Sequence, residues 1–365
     1  MSNRPFTPLP LPPTLDLAPL LPILVQAHEA IARYDEAVIH LPNPRLVRRS
    51  FETQEAVRSS SIEGTQATLT DVLELDAADV RGDTTRLHGD YREIANYRRA
   101  IAHGQELLEK RPLAEVVIKE LHRILLNSSR GMHRSPGEFR RHQVHIGPPG
   151  ATIDEARFIP PEPHKIPELF SDLMKYLHDD SQPDRLIQAA VAHYQFEAIH
   201  PFADGNGRVG RIMIPLYLYE KRLTSYPNLY LSEFLEQHRR DYYEALGGVS
   251  RGDWHTWIAL FLRAVRTQAL ITKRRVDEID ALYREIHATL PSFQSRYAPS
   301  FLDALFMTPI FTRASILNQA ELPSKQLVSA LVDKFCQAGL IVDAAPHRQR
   351  NKTFVFRRLL QIVDA

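Results

Sequence analysis

A mostly α-helical chain is what the sequence predicts, and three observations predict it. Apolar residues recur at helical spacing along most of the chain. The first 300 residues hold one β signal only, a short hairpin, and the glycines and prolines of the middle of the chain gather in a single irregular segment, 128–163. The composition of the 365 residues agrees: 44% hydrophobic and 24% charged is ordinary globular usage and excludes a disordered or fibrous chain. At roughly 150 residues per domain, two or three domains are expected. Lys+Arg number 45 against 44 Asp+Glu, so no global field steers the chain toward nucleic acid or a membrane. The single Cys336 excludes an internal disulfide framework and any multi-cysteine zinc site, and its apolar neighbours read it as a packed thiol. No apolar run approaches the ~20 residues needed to span a bilayer. The opening segment, with prolines at 8, 10, 12 and 13, does not read as a signal peptide, so a reducing, cytoplasmic setting is expected.

Residues 1 to about 15 read as extended, because proline lacks an amide donor and restricts its predecessor. Leu20, Leu24, Ala27 and Ile31 then set the first helical stripe. A second helix is expected from Pro44 to Glu63, stopping at Gly64, which can take the left-handed conformation. Further helices read at about 69–79, 90–109, 112–127, 164–178 and 184–199; the last carries Ile187, Ala190, Val191, Tyr194 and Ala198 on one stripe. Within 128–163, where Gly131, Gly137, Gly147 and Gly150 cluster, Gln143–Ile146 and Arg157–Ile159 are expected to pair as a short hairpin. Helices resume after Gly205 and at about 232–246, and a long one runs from Asp253 to Thr289. Leu290–Ser300, with Pro291 and Pro299, reads as a linker.

The tail has another grammar. Short helices at 301–307, 313–320 and 324–338 precede Leu340–Val342, a polar loop with His347, Arg348, Arg350 and Lys352, and then Thr353–Arg357. Helix, helix–turn–helix and a two-stranded wing is the order of a winged helix-turn-helix domain. Its recognition helix offers Lys325, Gln326, Ser329 and Lys334. Eight Lys/Arg against five Asp/Glu over 301–365 permit phosphate contacts but are mild for a DNA reader, so DNA and a protein both stand open as its partner.

The chemistry lies in His200-Pro201-Phe202-Ala203-Asp204-Gly205-Asn206-Gly207-Arg208-Val209-Gly210-Arg211. A glycine-rich turn joins the end of one helix to the start of the next. Gly205 and Gly207 let the backbone bend sharply and bring its N–H groups to a ligand without a Cβ in the way. At a new helix N-terminus those N–H groups form an anion nest suited to phosphate oxygens. Asp204 stands beside the nest, where an acceptor-only carboxylate can hold Mg²⁺. Arg208 and Arg211, three apart, share one helical face and offer forked donors to further phosphate oxygens. His200 is the titratable group there able to take a proton near neutral pH, and Phe202 is expected to anchor the loop in the core. Asp-Gly-Asn-Gly alone is an ordinary turn, but eight specified positions arise by chance in a chain of this length with a frequency on the order of 10⁻⁷ or less.

The pattern His-x-Phe-x-Asp-Gly-Asn-Gly-Arg-x-x-Arg resembles the complete motif of the Fic family. The resemblance implies a Fic-type helical core with a small β-hairpin flap, and an enzyme that transfers AMP from ATP to a Ser, Thr or Tyr hydroxyl of target proteins and of itself. It also covers Ser59-Ser-Ser-Ile-Glu63-Gly64, similar to the family's inhibitory motif, and Pro136-Gly-Glu-Phe-Arg140 and Phe158-Ile-Pro-Pro161, similar to the segments framing the substrate flap. Tyr242-Tyr243 resembles the aromatic pair near the adenine pocket. The resemblance implies His200 as general base, Asp204 on Mg²⁺, and Gly205 through Arg211, Val209 and Gly210 included, at the nucleotide. It implies a hairpin that takes a target strand, and Glu63, with Ser59, as the inhibitory element that pairs with Arg211. Three parts follow: 1–110 with the inhibitory motif, 111–290 as the catalytic core, 301–365 as the winged helix. A homodimer is compatible with this organisation. Two rival functions stand beside it: a phosphotransferase of the same fold with its nucleotide reversed, which Gly207 and Arg208 argue against, and a transcriptional regulator with a nucleotide-sensing Fic domain.

Overall fold

The computed structural model describes residues 4–79, 88–127, 134–147, 150–320, 322–344, 347 and 352–365. Gly131 of the irregular segment and Arg348 and Arg350 of the tail's basic loop lie outside the described residues. Fifteen α-helices and three short strands are present among them. The helices are α1 (Leu21–Ile39), α2 (Arg45–Ile62), α3 (Leu69–Asp79), α4 (His88–Leu108), α5 (Glu115–Leu125), α6 (Ile166–Leu177), α7 (Arg185–Ile199), α8 (Asn206–Glu220), α9 (Ser232–Gln237), α10 (Arg239–Val249), α11 (Trp254–Thr289), α12 (Ala298–Met307), α13 (Arg313–Gln319), α14 (Lys325–Gln337) and α15 (Arg357–Asp364). The strands are β1 (Ile310–Thr312), β2 (Val342–Asp343) and β3 (Thr353–Val355). The chain is therefore mostly α, as its periodicity predicts, and no described helix is long and apolar enough to cross a membrane.

The chain divides into two compact units. The first takes Met1–Arg33, Arg58–Gly64 and Ala95–Leu270. At its centre lies α7, between α6 and α8, and all but two of its residues are buried. A helix enclosed on every side must be apolar all round or hydrogen-bond what it buries. Here Gln188, 0% exposed, donates to the carbonyls of Tyr176 and Asp179 at 2.5 and 3.0 Å and accepts from the Tyr217 hydroxyl at 2.6 Å. Asp184 caps the helix, accepting from the amides of Leu186 and Ile187 at 2.7 and 3.2 Å, and its other oxygen meets His28 Nε2 at 2.7 Å.

Two expectations in this unit are narrowed. The hairpin at 143–159 is, among the described residues, a single antiparallel bridge between Ile146 and Phe158. Next to it the extended N-terminal segment donates the Phe6 amide to the Ile159 carbonyl at 2.8 Å. The helix expected over 232–246 is broken at His238, whose ring stacks on Phe234 at 4.1 Å and meets the Phe234 carbonyl through Nδ1 at 2.9 Å.

The second unit takes Tyr34–Val57, Thr65–Ile94 and Ile271–Ala365. Its sheet has the order β1-β3-β2, all antiparallel, with Phe311 opposite Phe354 and Val342 opposite Val355. The core is aromatic: Phe301 meets Phe335 at 4.9 Å and Phe306 meets Phe356 at 5.3 Å. The stretch read as a linker is not one. Leu290–Phe293 is a 3-10 turn, Phe293 is buried against Phe335 at 4.6 Å, and α12 starts at Ala298, with Pro299 where a first turn tolerates it.

The Asp184–His28 pair gives the fold a pH signature. Burial alone would raise the Asp184 pKa, but the His28 bond and the capping amides hold it low. His28 is raised, first by its bond to Asp184. The carboxylate's contribution is present above the unfolded Asp value and is lost as pH falls through its lowered folded pKa. The imidazole's contribution is present below the unfolded His value and is lost as pH rises through its raised folded pKa. Asp184→Asn keeps a capping oxygen, so it isolates the pair. Its cost, about 0.5–1 kcal/mol for a pair with one partly exposed member, should be greatest near about pH 5–6 and fade in alkaline solution, as read by urea unfolding at two pH values.

Candidate active site

The site is built where α7 ends and α8 begins. Six residues, 200–205, reverse the chain, and two of them take left-handed backbone: His200 with φ 49° and ψ 61°, and Gly205 with φ 78° and ψ 8°. The reversal is pinned from inside. The Asn206 side chain accepts from the Phe202 amide and donates to the Phe202 carbonyl, both at 2.8 Å. That side chain is thus committed to the loop, and what Asn206 can offer a ligand is its backbone N–H at the helix start. Phe202 is fully buried and stacks on His122 of α5 with centroids 3.8 Å apart.

The first turn of α8 presents the nest. A Cβ on Gly207 would stand 2.4 Å from Glu63 Oε1 and 2.9 Å from Arg211 Nη1, so a larger residue there would have to displace the ends of those two charged side chains. Arg208 and Arg211 are both buried, at 6% and 3% exposure. Arg211 donates through Nε to the Ser59 hydroxyl at 2.8 Å and through Nη2 to the Ser59 carbonyl at 3.0 Å and Glu63 Oε1 at 2.7 Å. The two segments that meet here, the end of α2 and the start of α8, are separated by 148 positions. Burial would raise the Glu63 pKa, but the guanidinium of Arg211, with Arg208 and His200 nearby, holds it low; Glu63 also keeps Arg211 charged against burial. The end of α2 has a second anchor: Arg58 and the Ser61 hydroxyl donate to the two oxygens of Glu236, at 3.1 and 2.5 Å.

His200 is neutral, its pKa lowered to about 4 first by burial, with Arg140 adding to the effect and Glu63 and Asp204 opposing it. Its Nδ1 lies 3.3 Å from the Glu197 carbonyl. A carbonyl only accepts, so Nδ1 carries the hydrogen and Nε2 keeps its lone pair. The neighbouring Glu197 carboxyl is pushed up to about 7, first by burial, with Glu63 adding to the shift and Arg211 opposing it. Asp204 is 48% exposed, and its Oδ1 takes the Gly205 amide at 2.6 Å with Arg208 Nη2 at 3.5 Å. Among the described residues no group of three or more His, Cys, Asp or Glu could hold a metal. A hard ion here would therefore be shared between Asp204 and phosphate oxygens, the usual arrangement for Mg²⁺, and the exposed carboxylate beside the nest fits that role.

The two tyrosines part company. Tyr242 is 1% exposed, its hydroxyl 2.9 Å from His193 Nε2. Tyr243 is 41% exposed, with Arg239 over its ring at 5.9 Å, so of the pair it alone offers a face to a ligand. Val209 and Gly210 are buried in α8.

Two supporting residues, His122 and His193, escape sequence reasoning, and a third, Arg140, is reached there only as the end of the segment Pro136–Arg140 that resembles a flap frame, without its contacts. His122 accepts from the Gly137 amide at Nδ1, 2.8 Å, and donates from Nε2 to the Asp204 carbonyl, 3.0 Å. Arg140 donates to backbone carbonyls on both sides of the site. His193 joins Gly210 to Tyr242. None lies in the motif, and each is recognisable only by what it touches. His122→Phe should keep the stack on Phe202 while leaving the Gly137 N–H and the Asp204 carbonyl without partners, at about 1–3 kcal/mol each. Hydrogen exchange at the Gly137 amide should then accelerate by about tenfold or more, with the α6–α7 core unchanged.

Comparison with known proteins agrees with this geometry. Residues 21–106 match the N-terminal model of the Fic/DOC family and 112–218 match the Fic/DOC family itself. The protein adenylyltransferase Fic of Drosophila melanogaster is 30% identical over 225 residues, 60% of this chain and 42% of that protein. Protein adenylyltransferase fic-1 of Caenorhabditis elegans is 30% identical over 143 residues, 39% of this chain and 25% of that protein. The chain thus spans less than half the length of these curated relatives. Among solved structures, a Fic family protein from Desulfovibrio desulfuricans G20 superposes with a TM-score of 0.59 at 21% identity, covering 96% of this chain and 98% of its own. Fic-1 of C. elegans gives 0.55 at 22% identity over 73% of this chain and 75% of its own. With both parts of the family pattern matched in order across more than half of its length, the chain belongs to the Fic/DOC family.

Proposed function

We propose that this chain is a protein adenylyltransferase, transferring AMP from ATP to a hydroxyl of a target protein, and that Glu63 restrains it. The observation that carries the reading is a neutral histidine with an open Nε2 lone pair, set between a helix end and a phosphate nest flanked by two buried arginines. His200 Nε2 takes the proton of the target hydroxyl as its oxygen attacks the α-phosphorus, and the bond to the leaving pyrophosphate breaks. The backbone N–H groups of Gly205–Gly207 stabilise the charge growing on the phosphate oxygens. Arg208 binds the β-phosphate side of the leaving group and Arg211 the γ-phosphate. Asp204 would hold Mg²⁺, which would supply charge neutralisation at the phosphates. Tyr243 is the aromatic side chain with a face to offer the adenine. In this reading residues 1–110 carry the restraint, 111–290 the transfer and 301–365, read as a winged helix, a docking module. A cytoplasmic, reducing setting suits the lone, half-buried thiol of Cys336.

Restraint follows from the same geometry. The Glu63 carboxylate occupies the Arg211 guanidinium that the γ-phosphate needs, and it lies across Gly207, where the nest opens. ATP bound against that carboxylate is held with its α-phosphorus out of line, and orientation is worth several kcal/mol of barrier.

Incubation with α-labelled and, separately, γ-labelled ATP tests the activity directly. Modified protein should carry the α label and the mass of AMP; label arriving from the γ position alone would replace this reading with phosphotransfer. His200→Ala should lower transfer by ~10²–10⁴-fold while ATP still binds, measured by calorimetry alongside the label assay. Glu63→Gly should raise self- and target-modification by ~10-fold or more with little change in ATP affinity. Arg211→Ala should not, because it loses the γ-phosphate contact together with the restraint.

A further inference from the structure

His200 closes α7 in a left-handed conformation that a residue with a Cβ rarely adopts and that persists only where the surroundings hold it. The surroundings that fix it are largely one side chain. Arg140 is 4% exposed. Its Nε donates to the His200 carbonyl at 2.8 Å and its Nη2 to the Ile199 carbonyl at 3.4 Å. Its backbone amide donates to the Pro201 carbonyl at 2.9 Å. Three successive carbonyls, 199 to 201, are therefore held by one residue. The carbonyls at a helix C-terminus have no partner within the helix, and a guanidinium there satisfies them and complements the helix dipole.

The other edge of the same guanidinium reaches elsewhere. Nη2 also donates to the Pro161 carbonyl at 2.6 Å and Nη1 to the His142 carbonyl at 3.3 Å. His142 and Pro161 sit at the feet of the two arms that meet in the Ile146–Phe158 bridge. Among the described residues no carboxylate pairs with Arg140; its ligands are backbone carbonyls only. A buried cation held by dipoles instead of a counter-charge depends on all of them at once, and a planar fork is the side chain that can address four acceptors in fixed directions. An ammonium has three rotatable donors on one centre and cannot span both sides.

We propose that Arg140 is the positioning residue of His200, a single guanidinium that ties the imidazole-bearing end of α7 to both arms of the bridged segment at 142–161. The segment and the base then move as one body: a target strand seated on the bridge is registered against His200 through Arg140, not through the loop 202–206. This inference rests on the transferase reading for its kinetic consequence, while its structural consequence can be read without any catalysis.

The test uses the full chain carrying Glu63→Gly, with Arg140→Lys and Arg140→Gln added separately. Misplacement of a reacting group by about 1 Å costs on the order of 10²-fold, so both variants should lose kcat for target modification by about 10- to 100-fold. The Kd for a non-hydrolysable ATP analogue, which depends on the nest and on Arg208 and Arg211, should stay within about twofold of the parent. A merely structural role would move both quantities together. Histidines labelled with ¹³C give the readout without catalysis: the His200 carbonyl and Cα resonances, identified by their loss in His200→Ala, should shift in both variants, while those of His193 on the same helix stay in place. Should Arg140→Gln fail to fold, Arg140→Lys decides alone. Parental kcat in Arg140→Lys, unmoved His200 resonances, or a fall in analogue affinity equal to the fall in kcat would each overturn the proposal. If no background transfers AMP, the transferase reading falls by itself, and the His200 resonances still decide whether Arg140 holds that residue.

Discussion

The site depends on one buried cation and on what compensates it. Arg211 is nearly without solvent, and a guanidinium removed from water costs several kcal/mol unless it is paired and its N–H groups are satisfied. No acidic residue of α8's first turn supplies the pair; it comes from the end of α2, through both the hydroxyl and carbonyl of Ser59 and the carboxylate of Glu63. That requirement brings α2's last turn onto the nest, and the Arg58 and Ser61 contacts to Glu236 keep it there.

The two members of the pair are not equally enclosed. Arg211 has a side-chain exposure of 2% and Glu63 of 39%. The cation is fixed in the protein, whereas the anion stands at the edge and can be exchanged for another anion at little desolvation cost to the arginine. In the proposed chemistry that other anion is a γ-phosphate, and Gly207 is what allows either of them to lie against the helix start. A methyl group at that position would collide with Glu63 and Arg211 alike. The preference for glycine therefore comes from the crowding of two charged side-chain ends and not from the backbone, whose φ is not positive there.

How much of this was legible in the sequence depends on how local each feature is. The motif at 200–211 could be read because its parts follow one another: a helix end, a turn, a helix start, two arginines on one face. The central helix could be read because its stripe and its cap are adjacent in sequence. Glu63 was legible through family resemblance, since nothing in Ser59–Gly64 by itself requires an arginine so far along the chain. His122 and His193 are not legible, and Arg140 is legible only as part of a segment that resembles a flap frame, because each acts through carbonyls, amides or hydroxyls that only the fold brings near. Strand β1 was missed for a related reason: all three of its residues are buried, so it shows no alternation. The linker reading of Leu290–Ser300 failed because its prolines were read as breakers, when Pro291 and Pro299 sit in the first turns of helical elements where the missing amide costs nothing.

Three histidines surround the site, His122 and His193 buried and His200 half-buried, and pKa does not tell them apart. Burial, first among the causes, lowers His122 to about 4, His193 to about 3 and His200 to about 4. All three are neutral near pH 7, so all three are in the form a general base requires. Hydrogen-bond commitment separates them. His122 has both nitrogens engaged, Nδ1 accepting from Gly137 and Nε2 donating to Asp204. His193 is engaged in the opposite sense, with Nδ1 donating to the Gly210 carbonyl and Nε2 accepting from the Tyr242 hydroxyl. Among the described residues His200 has only its Nδ1 bound, and that by a long contact to Glu197. Its Nε2 lone pair is the one these three rings leave unused, and it lies on a residue whose backbone is held by the left-handed turn and by Arg140. In the proposed chemistry the base is selected by which lone pair the fold declines to satisfy, and desolvation does no more than keep that lone pair free of a proton.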